Sequence, residues 1–127
     1  MQERRQYLRI NINNFVWSAK YAVPGGKTKG KSKNISAGGI LIESMEEYQI
    51  GDMLKMDIEL PGWHKFNPAF DIFGEKHSTP LLHLTAKVAR VDKTTKGLFN
   101  IGIRFTGIKD SDKKALETYC KKRSWNL

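Results

Sequence analysis

The stretch "LFNIGIRFTG" (residues 98–107) alternates strictly, with Phe99, Ile101, Ile103 and Phe105 on one side and Asn100, Gly102, Arg104 and Thr106 on the other. Side chains of a strand point to opposite faces with a period of two, so this is a strand with one buried and one wet face. The pattern recurs in "MLKMDIEL" (53–60), where Leu54, Met56, Ile58 and Leu60 oppose Lys55, Asp57 and Glu59. It recurs again in "LLHLTAKVAR" (81–90), with Leu82, Leu84, Ala86 and Val88 against His83, Thr85 and Lys87. Upstream, "LRINI" (8–12), "NFVWSAKYAV" (14–23) and "GGILIES" (38–44) read as strands, with "PGGKTKG" (24–30) as a turn between two of them. About six antiparallel strands separated by turn signals make a small barrel or sandwich.

The end of the chain changes period. Asp110 or Ser111 is placed to cap a helix, with Asp112 in its first turn and Lys121, Lys122 and Arg123 in its last, as the helix dipole prefers. Leu116, Tyr119 and Cys120 give that helix an apolar stripe. Residues 61–80 show no alternation and carry three prolines with Trp63, Phe66, Phe70 and Phe73, the mark of a long, partly packed loop. That loop is a candidate face for a partner. The fold class is therefore mainly β with one C-terminal α-helix.

At 127 residues the sequence has the length of one domain, and 39% apolar residues are enough for a packed core. No run of about 18 apolar residues is present, and the amino terminus is charged, so neither a membrane span nor a secretory signal is expected. The lone Cys120 has no partner for an intrachain disulfide, which fits a reducing compartment and a cytoplasmic location. The net charge of +9 is uneven. Before residue 36 stand Arg4, Arg5, Arg9, Lys20, Lys27, Lys29, Lys31 and Lys33 against the single acid Glu3. Such a concentration points to an anionic partner.

"GGKTKGKS" matches the phosphate-loop string at Gly25, Gly30, Lys31 and Ser32. That chemistry needs a helix immediately afterwards, and "KNISAGGILIES" denies one, so the segment reads as a glycine- and lysine-rich hairpin turn. His64, His77 and His83 lack metal-ligand spacing, and no stretch combines paired carboxylates or an activated nucleophile. No catalytic residue, metal or cofactor is expected, and the chain is not read as an enzyme.

Arg5-x-x-x-Arg9, followed some 25 residues later by Asn34-x-Ser36-x-x-Gly39, resembles the two-part signature of the PilZ family, receptors for the bacterial messenger cyclic di-GMP. The resemblance continues through "AKVARVD", "NIGIRFTGI" and the charged helix "DSDKKALETYCKKR". It implies a six-stranded antiparallel β-barrel with a C-terminal helix, in one unit over 1–127. In that layout residues 1–9 form a flexible arginine-bearing leader, 10–107 the barrel and 110–123 the helix. It also implies that Arg4, Arg5, Arg9, Asn34, Ser36 and Gly39 bind cyclic di-GMP. In the family, the residue before the first motif arginine bears on whether one nucleotide or a stacked pair is held. Arg4 is compatible with two stacked molecules per chain.

The chemistry of each residue type fits. A guanidinium fork binds a phosphate, or O6 and N7 of guanine, in two-pronged fashion, and it stacks on a purine face. Asn34 and Ser36 offer short hydrogen-bonding side chains, and Gly39, with Gly38, offers close backbone approach or positive φ. Charge-assisted hydrogen bonds of about 1.5–3 kcal/mol each lead to an affinity around micromolar. The expected function is a receptor that changes conformation on binding the messenger and signals to a downstream protein.

Two alternatives come from other classes. A small basic barrel could hold single-stranded nucleic acid on exposed aromatics such as Trp17 or Trp63, though nucleic acid is the less expected partner. An adaptor of the same fold could contact proteins without any nucleotide.

Overall fold

The computed structural model describes residues 7–21, 23, 25–67, 80–94 and 96–125. Among these residues, seven strands, one 3-10 turn and one helix follow each other. They are β1 (Ile10–Asn11), β2 (Phe15–Lys20), β3 (Thr28–Ile35), β4 (Gly39–Ser44), β5 (Met53–Glu59), the turn Trp63–Phe66, β6 (Leu81–Lys93), β7 (Phe99–Gly107) and α1 (Asp110–Trp125). All pairings are antiparallel, in the order β1-β3-β2-β5-β6-β7-β4. β4 pairs back onto β3, which closes the six strands β2 to β7 into a barrel and leaves β1 as a short addition alongside β3.

The strand count of six holds for the barrel, but its membership differs from the sequence expectation. "LRINI" supplies only the two-residue β1. The sixth wall is β3, "TKGKSKNI", where a hairpin turn was expected. Its lysines 29, 31 and 33 face solvent, while the positions turned the other way are Thr28, Gly30 and Ser32. The alternation is present, but the inner partners are small and polar, so hydropathy does not reveal it. With Lys31 and Ser32 in a strand, the phosphate-loop string has no helix to serve.

Inside the barrel lie Val16, Ile35, Ile42, Leu54, Met56, Ile58, Leu82, Val88 and Ile101, each essentially sealed from solvent. Burying each stabilises the fold by about 1.5–3 kcal/mol before entropy is counted. α1 begins at Asp110, so Asp110 and Asp112 both lie in its first turn, where acids offset the dipole. It buries Ala115, Leu116, Tyr119 and Cys120, the expected stripe plus one alanine. Trp63 is also fully buried, donating from its indole Nε1 to the Pro80 carbonyl at 3.2 Å. Its ring is part of the core rather than exposed to a partner or a nucleobase, and Phe66 packs partly against the same core. Phe70 and Phe73 lie outside the described residues.

Candidate functional site

Of three register shifts among the described strands, two shape the outer wall at Asn34 and Arg90, the third lying between Thr85 and Ala86. Between Ser32 and Asn34, β3 advances two residues while β4 advances one, from Ile42 to Leu41. Between Val88 and Arg90, β6 advances two residues while β7 advances one, from Ile103 to Gly102. Each bulge carries two successive outward residues, Lys33 with Asn34 and Ala89 with Arg90. The strands bend there, as bulged strands do.

The registers then line up across five strands. Ile10, Ile35, Ile40, Ile103 and Val88 pair in succession and point into the core. Outside, one line runs Asn11, Asn34, Leu41, Gly102, Arg90. The next outer line holds Gly39, Arg104 and Lys87. Arg9 precedes Ile10, whose partner is Ile35, so it stands level with Ser36. Ser36 itself donates its backbone N–H to the Gly39 carbonyl at 2.9 Å.

These lines enclose a cavity of about 350 Å³, lined among others by Arg9, Asn34, Ser36, Gly39, Arg90 and Arg104. Four of the six residues expected from the sequence are therefore gathered in one place. Arg4 and Arg5 lie outside the described residues. The volume falls in the range of small-molecule sites. Ser36 Oγ accepts from the Gly38 amide at 3.1 Å, which orients the hydroxyl and keeps its hydrogen available for donation.

Of the two parts expected of the glycines, close backbone approach to a ligand or positive φ, the second is not found. Neither Gly38 nor Gly39 has positive φ. A β-carbon on Gly39 would lie 2.3 Å from the Ile103 carbonyl oxygen, so glycine there serves the close approach of β4 to β7. A β-carbon on Gly38 would meet the ring of Tyr7. Tyr7 lines the cavity as well, and Lys113 Nζ of α1 sits 4.9 Å from its ring centroid.

Sequence reasoning did not single out Tyr7, Arg90, Gly102 or Arg104. Arg104 was legible as an outward residue of an alternating strand. Arg90 was hidden, because strict alternation from Val88 turns it inward and only the extra residue Ala89 brings it out. Arg90 Nε holds Asp92 Oδ2 at 3.1 Å, both side chains largely exposed. Among the described residues no three of His, Cys, Asp and Glu gather as metal ligands, and no helix is long and apolar enough to cross a membrane.

A closed six-stranded barrel with an arginine, an asparagine and a serine converging on its outer wall defines a class of small-ligand binding domains. The PilZ domain profile matches residues 3–122, and the chain belongs to the PilZ family. Among solved structures it is similar to the Bacillus subtilis inhibitor of motility MotI/DgrA, with 26% identity and a TM-score of 0.75 over 98% of this chain and 53% of that one. It is also similar to the PilZ domain of Escherichia coli YcgR with c-di-GMP, at 14% identity and a TM-score of 0.65, covering 98% and 96% of the two chains. A third neighbour is the K. pneumonia MrkH–c-di-GMP complex, at 14% identity and a TM-score of 0.70, covering 99% and 54%. The chain spans about half the length of MotI/DgrA and MrkH. No curated protein matches its sequence.

Proposed function

We propose that this chain is a cytoplasmic receptor for cyclic di-GMP that holds the messenger on its outer wall and signals to a protein partner. The observation that carries this reading is the convergence of Arg9, Asn34, Ser36 and Gly39 on one cavity in a PilZ-family barrel. Neighbours solved with c-di-GMP support the same ligand.

In this reading Arg9 grips a phosphate or a guanine edge with its planar fork, and Arg5 does the same from the leader. Asn34 and Ser36 hydrogen-bond the nucleotide from the opposite side, and Gly39 keeps β4 tight against β7 beneath it. Arg4 favours a stacked pair, giving two molecules per chain. The protein performs no reaction. Bound ligand engages Arg5 and Arg9 together, and the new surface of nucleotide and side chains is what the partner reads.

Calorimetric titration of the full chain with cyclic di-GMP tests this. Uptake with a Kd around micromolar is expected, lost in Arg5→Ala and in Arg9→Ala while unfolding of the free protein stays unchanged. No uptake at tens of micromolar would overturn the reading, and one nucleotide per chain would remove the stacked pair.

A second reading, single-stranded nucleic acid, draws on Phe15 and Trp17, which pair in register with Lys31 and Lys29. Lys29 Nζ already sits 3.9 Å from the Phe15 ring centroid, on a face where a base would stack. Steep loss of binding with salt would favour this second reading.

A further inference from the structure

We propose that Arg90 and Arg104 form a second anion-holding wall, which grips a phosphodiester of the ligand from the side opposite Arg9, and that the phosphate takes over Arg90 from Asp92. This rests on the receptor reading above and adds residues that the two-part motif does not contain.

The register line from Asn34 to Arg90 crosses three strand intervals, about 14 Å at the ordinary spacing. Its interior members are Leu41 and Gly102. Leu41 gives the line an apolar floor beside Asn34, and Gly102, with no side chain, leaves room for the Arg90 side chain, whose Nε lies 3.9 Å from where a β-carbon at position 102 would sit. One line over, Gly39 faces Arg104 in the same manner. A ligand resting on this floor meets Arg9, Asn34 and Ser36 at one end and two guanidinium groups at the other.

Charge points the same way. Arg104 is exposed and has no acidic partner among the described residues. Lys87 pairs in register with it and adds to the field. Asp92 is the acid beside this wall, held by Arg90 from two positions along the strand, where side chains share a face. An exposed pair of this kind is weak. A phosphodiester offers the same fork-shaped acceptor without an added side chain to order, and Arg104 stands ready beside it. The Ala89 bulge brings Arg90 to this position, so the second wall follows from the same local geometry that bends the cavity.

The test is calorimetric titration of the full chain and six variants with cyclic di-GMP. Arg90→Ala and Arg104→Ala should each weaken binding by about ten- to a hundredfold, the value of one charge-assisted hydrogen bond. Arg90→Lys, which keeps the charge and loses the fork, should recover only part of that. Asp92→Asn should tighten binding by about two- to fivefold by freeing Arg90. The charge-matched control Glu59→Gln, on β5, should leave affinity unchanged, which separates release of Arg90 from a general gain in positive charge. Unaltered affinity in both alanine variants, with Arg9→Ala still inactive, would overturn the second wall and leave the receptor reading standing. If the unaltered chain takes up no cyclic di-GMP, both fall.

Discussion

Tyr7 lies so closely on Gly38 that a β-carbon at position 38 would come within 2.8 Å of its Cδ2 atom. Tyr7 precedes Arg9 by two residues and lines the same cavity, so the glycine seats the segment that carries Arg9.

Gly38→Ala should therefore displace Tyr7 and weaken cyclic di-GMP binding by about tenfold, equivalent to about 1.4 kcal/mol. The barrel itself has little to lose, since Tyr7 is only partly buried at the core margin. Titration calorimetry beside thermal unfolding should show a change in the first and almost none in the second.

Gly39→Ala should behave differently. The added carbon meets backbone, the Ile103 carbonyl oxygen, which cannot rotate away. β4 and β7 must separate, and over-packing of this kind costs about 1–3 kcal/mol. Urea unfolding should show a lower midpoint, together with weaker nucleotide binding.

Asp57 on β5 contacts both Lys27 and His83. Burial alone would raise its carboxyl pKa, but the hydrogen bonds from Lys27 and His83 outweigh that and hold it below the usual carboxylate range. A depressed folded-state pKa adds stability that is fully present above about pH 4, the unfolded value, and is lost as pH falls through the folded value. Lys27 and His83 are substantially exposed, at 40% and 70%, so screening limits the effect to about 1 kcal/mol or less. Chemical denaturation should find Asp57→Asn less stable than the unaltered protein at pH 7, with the gap closing as pH drops below 4.

Cys120 is sealed between α1 and the barrel, and its Sγ points at the Ile35 carbonyl 3.9 Å away. Burial pushes the thiol from 9.0 up to about 11, which lowers its thiolate fraction at pH 8 about a hundredfold. Iodoacetamide should leave the native protein unmodified over a time in which the urea-unfolded chain reacts completely. Rapid native alkylation would contradict this packing.

Much of the barrel was legible because β4, β5, β6 and β7 put an apolar side chain at nearly every second position, Ser44 at the end of β4 being an exception. β3 was not, since Thr28, Gly30 and Ser32 occupy its inward positions and leave no apolar signal. Asn34 and Ser36 were found through the order and separation of short motifs, which carry chemistry independently of hydropathy. Arg90 was missed for a geometric reason. A bulge adds one residue to a strand without any mark in composition, and beyond it the rule of alternation gives the wrong face. The role of Gly39 was missed because the Ile103 carbonyl it accommodates lies 64 positions away in the chain.

Closure of β3 onto β4 has one more consequence. None of the six barrel strands leaves its full length of N–H and C=O groups free for another chain to pair with, and β1 extends over only two residues. Among the described residues, recognition by strand addition, common among sheet proteins with open margins, finds only short stretches of unpaired edge. An inhibitor designed as an extended backbone mimic would gain few main-chain hydrogen bonds from this barrel, so side-chain contacts are the better starting point for one.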